Sequence, residues 1–65
     1  MNWKAISRIC RNVQKITPWT EYEAGRKFEA RAILNNPCRL RIIPWEPIHD
    51  FARGRVDLLA LVRSV

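Results

Sequence analysis

From Trp3 to Ile16 the apolar positions recur every three or four residues, a spacing that predicts an amphipathic helix. At about 100° per residue, Trp3, Ile6, Ile9, Cys10, Val13 and Ile16 share one arc, and Lys4, Arg8, Arg11 and Lys15 lie within about 60° of one another on the other side. The apolar arc, Trp3 included, is expected in the core. Asn2 can accept a hydrogen bond as N-cap, and Pro18 drives Thr17 out of the helical region, so both ends of the helix have a local cause.

The middle of the chain satisfies two periods at once. Thr20 and Glu23 have the spacing of a capping box, and residues 21–34 are rich in Glu, Ala, Arg and Lys, which favours a helix. Against this, Phe28, Ala30, Ala32 and Leu34 alternate with Lys27, Glu29 and Arg31 at the strand period, and Gly25 would sit inside the helix. Asn35-Asn36-Pro37 supplies turn chemistry, after which Arg39, Leu40, Arg41 and Ile42 alternate again. The pattern favours a β-hairpin pairing Arg26 to Leu34 with Arg39 to Ile43.

Towards the end of the chain, a helix from Pro47 to Arg63 would gather Ile48, Phe51, Leu58, Leu61 and Val62 on one side. A strand over Val56 to Val62, released by a break at Gly54, fits as well. The expected fold is therefore a single small α+β domain: an N-terminal amphipathic helix packed on a β-hairpin, followed by an apolar C-terminal helix or strand. An all-α three-helix domain is the alternative.

An imperfect repeat runs through this organisation. Lys15-Ile16-Thr17-Pro18-Trp19 returns as Arg41-Ile42-Ile43-Pro44-Trp45, each preceded by Cys-Arg and followed by Gly-Arg and an apolar stretch. Aligning the copies requires gaps of two or three residues, which favours coincidence over duplication.

Charge sharpens the first helix more than the rest. The chain of 65 residues has a formal net charge of +6. Four basic residues and no acid lie in residues 1–20, whereas residues 46–65 balance three acids with three arginines. Such asymmetry favours an anionic partner for the N-terminal part. An acid-free amphipathic start also describes a mitochondrial presequence, but its removal would leave too little chain to fold. No apolar run is long enough for a secretory signal or a membrane span, and a protein of a reducing compartment, the cytoplasm, is expected.

The candidate site follows from these charges. Lys4, Arg8, Arg11 and Lys15, extended by Arg39 and Arg41, form the expected anion-binding surface. Trp19 and Trp45, each behind a proline, are candidate partner anchors, because Trp and Arg dominate interface hot spots. Cys10, Cys38 and His49 fall one ligand short of a tetrahedral metal set and lack an orienting group for nucleophilic catalysis, so no metal, cofactor or enzymatic activity is expected. Glu21, Glu23 and Glu29, interleaved with Arg26, Lys27 and Arg31, are expected to compensate charge on the surface.

The segment Arg41-Ile42-Ile43-Pro44, followed by Gly54-Arg55-Val56-Asp57-Leu58, resembles the strand, proline, short helix and Gly-x-Val-x-Leu pattern of AbrB-type swapped-hairpin domains over about a quarter of the chain. The resemblance implies an obligate DNA-binding dimer; Gly54-Arg55 stands where that pattern has Gly-Asp. Together these features point to a non-enzymatic binding module whose first partner class is nucleic acid. The alternative is a small inhibitor, regulator or subunit docking on an acidic protein surface, and the third is a peripheral membrane-surface protein. A homodimer or a larger complex is compatible with each.

Overall fold

Three helices pack in the computed structural model, which describes residues 2–41 and 46–65, without the side chain of Arg41. They are α1 (Trp3–Gln14), α2 (Glu21–Asn35) and α3 (Asp50–Arg63), and a 3₁₀ turn (Pro37–Arg41) follows α2. No strand occurs among the described residues, so the α+β expectation is overturned and the three-helix alternative holds. With Val56 to Leu58 helical, the likeness to a swapped hairpin does not extend to structure.

The cause of the correction is local as well as tertiary. Thr20 accepts a hydrogen bond from the Glu23 amide at 3.2 Å, and the Glu23 carboxylate accepts one from the Trp19 amide at 2.6 Å. This closes a capping arrangement at the start of α2 that a hairpin could not use. The alternation from Phe28 to Leu34 coexists with a helical stripe of Gly25, Glu29, Ala30 and Ile33, and this stripe is the buried one. Asn35 ends the helix as the turn residues predict, but the segment beyond tightens into the 3₁₀ turn instead of returning as a strand. Ile42 and Ile43 of the expected second strand lie outside the described residues.

Helix α1 matches its expectation most closely. Asn2 accepts a hydrogen bond from the Ala5 amide, and the helix stops at Gln14, two residues short of Ile16. Ile6, Cys10 and Val13 are buried with Ala30 and Ile33 of α2, Leu40 of the 3₁₀ turn, and Leu58, Leu59 and Val62 of α3. Trp3 corrects its expectation: it is 42% exposed, and Ile9 and Leu34 are the partly buried residues that pack against this core.

The most extensive packing is between α2 and α3, and two glycines permit it. A Cβ placed on Gly25 would lie 2.8 Å from the Phe51 carbonyl carbon, and one on Gly54 would lie 3.0 Å from that of Tyr22. Both separations are far inside van der Waals contact, and the opposing atoms are backbone. Gly25 and Gly54 are thus contact points that let two helix backbones approach, where the sequence pattern had marked them as interruptions.

The helix starts also reveal a better register for the repeat. Offset by 29 residues and without gaps, Pro18, Trp19, Glu21, Tyr22, Gly25, Arg26 and Ile33 align with Pro47, Ile48, Asp50, Phe51, Gly54, Arg55 and Val62. The N-caps Thr20 and His49 align too. Contacts follow the same exchange, as around a two-fold axis: Gly25 meets Phe51 and Gly54 meets Tyr22. The Tyr22 hydroxyl donates to Asp57, and the equivalent pair, Phe51 and Phe28, meets in a tilted aromatic contact with ring centroids 5.5 Å apart. Pro47 is therefore the true counterpart of Pro18, and the gapped alignment on Pro44 is superseded.

The hydrogen bond to Asp57, with a lesser effect of burial, raises the Tyr22 hydroxyl above its ordinary value of 10.0. A folded-state value raised in this way means that the stabilisation is complete below about pH 10 and is lost as pH rises through the folded value. Melting curves of wild type and Tyr22→Phe should therefore converge as the solution is made alkaline; a constant difference between them would contradict this coupling.

Candidate functional site

The outer face of α1 presents Lys4, Arg8, Arg11 and Lys15 together, and all four are exposed. Their row is about 15 Å long by the helical rise. The first turn of α1 contains no acid, and no ion pair reaches these cations among the described residues. Like charges one turn apart repel, and Lys4 lies at the positive end of the helix dipole, whereas Arg11 in the last turn and Lys15 at the C-cap lie at its negative end and are favoured there.

Two ridges run along this face at i, i+4 spacing. Trp3, Ser7, Arg11 and Lys15 form one, and Lys4, Arg8 and Asn12 form the other. Between them lies an open depression of about 560 Å³. Ser7, small and buried, is a low point in the first ridge, and the exposed Trp3 also lines the depression. Ser7 and Asn12 were missed as site residues, although their spacing from Trp3, Arg8 and Arg11 carries the signal.

The remaining candidates are placed differently. Arg39 is turned onto Glu29, with Nε 2.6 Å from Oε2 and Nη2 3.1 Å from Oε1. It thereby pairs with a carboxylate that it shares with Arg55, and the Glu29 hydrogen bond holds the guanidinium still more firmly protonated. The Arg41 side chain and Trp45 lie outside the described residues. Trp19 is 89% exposed, while Pro18 and the bond from its amide to Glu23 hold the backbone that presents the ring.

Glu29 overturns the surface role expected of it. Its side chain is 1% exposed and binds Arg39 and Arg55, the latter at 3.0 Å, while the Arg55 guanidinium also lies 4.9 Å from the centre of the Phe28 ring. The 29-residue repeat places Leu58 at the equivalent position. Leucine offers no acceptor, and the Nε of Arg26, the counterpart of Arg55, is buried with no hydrogen-bond partner among the described residues.

Cys10 and Cys38 are both free thiols, the first buried and the second exposed. Burial, and then the Glu29 charge, push the Cys10 thiol up. Native protein should accordingly lose one thiol to a maleimide within minutes and the other only after denaturation; rapid modification of both in mass spectra would contradict the packing of Cys10. Among the described residues no three His, Cys, Asp or Glu side chains gather as a metal site. No helix among them is long and apolar enough to cross a membrane.

Compared with protein-family models, curated proteins and solved structures, the chain matches none. Its functional assignment therefore rests on the α1 surface itself.

Proposed function

We propose that the chain is a non-enzymatic docking module that seats the basic face of α1 on an acidic surface of a larger protein, as a small inhibitor, regulator or subunit. The observation that carries this reading is the set of four exposed cations without ion-pair partners among the described residues, bordered by exposed tryptophan. Four cations of one sign on one face, with no acid among them, suit an external counter-charge. Trp19 adds the kind of rigidly presented aromatic surface that dominates protein interfaces.

Nucleic acid is a second reading, favoured by the single sign of the row. Three or four phosphate contacts would make log K fall with log salt at a slope of roughly −3 to −4, enough for binding without sequence recognition. A membrane surface fits less well, because Ile6, Cys10 and Val13 of the apolar face of α1 are spent in the core.

Affinity capture with wild type and Arg8→Glu/Arg11→Glu tests the proposal in nuclease-treated lysate. Acidic proteins retained by wild type should disappear with the double variant, whereas retention by both would reject α1 as the contact. Binding abolished by nuclease treatment would favour nucleic acid. Lys4→Glu separates binding from folding: it should weaken capture while stabilising α1 by about 0.3–1 kcal/mol through the dipole and a pairing with Arg8. Calorimetric melts check this, and a loss of stability would mean that Lys4 serves the fold.

A further inference from the structure

We infer that the element of the partner recognised by α1 is an acidic α-helix, whose side-chain ridge enters the groove between the two ridges of α1. This rests on the proposed docking to an acidic protein and specifies the shape of what docks. The groove follows the i, i+4 direction of a helix surface, the direction in which a second helix interdigitates its own i, i+4 row. Both walls are cationic: Lys4 and Arg8 stand on one, Arg11 and Lys15 on the other. Carboxylates on successive turns of an inserted helix would therefore be flanked by cations on both sides. Ser7, the small buried member of its ridge, lowers the wall between Trp3 and Arg11, and the exposed Trp3 ring offers an apolar contact beside it.

A second copy of this chain does not supply that ridge. Helix α1 has no acid, and the acids of α2 are Glu21, Glu23 and the buried Glu29. In α3, Asp50 and Asp57 are seven residues apart, and Asp57 is held by Tyr22. No described helix thus offers two free carboxylates at i, i+4, and the charge of α1 calls for a different acidic partner.

The test uses three fluorescent probes of equal charge: a stapled helical peptide with Glu at i, i+4 positions, an isomer of the same composition broken by proline, and a short single-stranded DNA. Anisotropy titrations of the full chain should show the stapled helix binding about tenfold tighter than the proline isomer, a difference of about 1.4 kcal/mol. Arg8→Glu/Arg11→Glu should abolish binding of all three. Asn12→Phe, which fills the groove without changing charge, should bring the two peptides to equal affinity; circular dichroism verifies its fold. Equal affinity of both peptides for wild type overturns the helix inference but leaves docking on acidic proteins intact. Tighter binding of the DNA than of either peptide overturns both, as does binding of no probe together with failure of the lysate capture. Self-association of wild type, abolished by Arg8→Glu/Arg11→Glu in sedimentation, would replace the acidic helix with a second copy.

Discussion

Gly54→Ala is expected to lower the melting temperature by at least about 10 °C, and Gly25→Ala to do nearly the same. Alanine in an exposed helix interior is ordinarily favoured over glycine by about 1 kcal/mol. Here the sign reverses, because the added methyl group meets the carbonyl of Tyr22 or Phe51, and a backbone atom cannot rotate aside. The helices must separate, loosening the core formed by Ala30, Ile33, Leu58 and Val62. A cost of about 3 kcal/mol, the upper part of the overpacking range, would remove much of the stability available to so small a domain. The two substitutions should cost less together than the sum of their separate effects, since the first has already forced the helices apart. Urea denaturation of the single and double variants measures both points. A stabilised single variant would show that the helices do not meet at these glycines.

The second large effect concerns the buried carboxylate. Glu29→Ala strands two guanidinium groups against the core, a change that costs about 3–5 kcal/mol when an ion pair is fully buried. Arg39 and Arg55 keep 26% and 34% of their side-chain surface, so solvent recovers part of their charge. The expected loss is therefore about 2–3 kcal/mol. Glu29→Leu/Arg39→Leu/Arg55→Met should recover most of it, because the cost lies in the unmatched charge, and the repeat already places Leu58 at the equivalent position of α3. Urea midpoints decide the matter: a neutral Glu29→Ala would show that the carboxylate is not required, and a triple variant no better than Glu29→Ala would show that geometry, rather than charge, is at stake.

These two effects also mark the limit of what the residue pattern disclosed. Helix α1 was legible because its signals are local: a side-chain cap at Asn2, a stop before Pro18, and apolar and basic residues on opposite sides. In α2 the stretch from Phe28 to Leu34 fitted both periods, and choosing between them required knowing which side is buried. Glu29 resembled any other acid between basic neighbours until α3 and the 3₁₀ turn brought Arg55 and Arg39 against it. Gly25 and Gly54 carried the ordinary signature of a break, and their actual role depends on a second backbone. The repeat was visible but misaligned, because Pro44 and Pro47 are both available and only the start of α3 selects the latter.

The sequence by itself determined the start and amphipathic character of α1, the turn at Asn35-Asn36-Pro37 and the gathering of four cations on one helix face, all of which depend on residues a few positions apart. Only the tertiary structure decided that the middle segment is helical, that two glycines join α2 to α3, that Glu29 belongs to the interior and that Arg39 is bound to it. The physical reason is that burial and close approach are relations between segments, and neither is encoded in the spacing of residues along one of them.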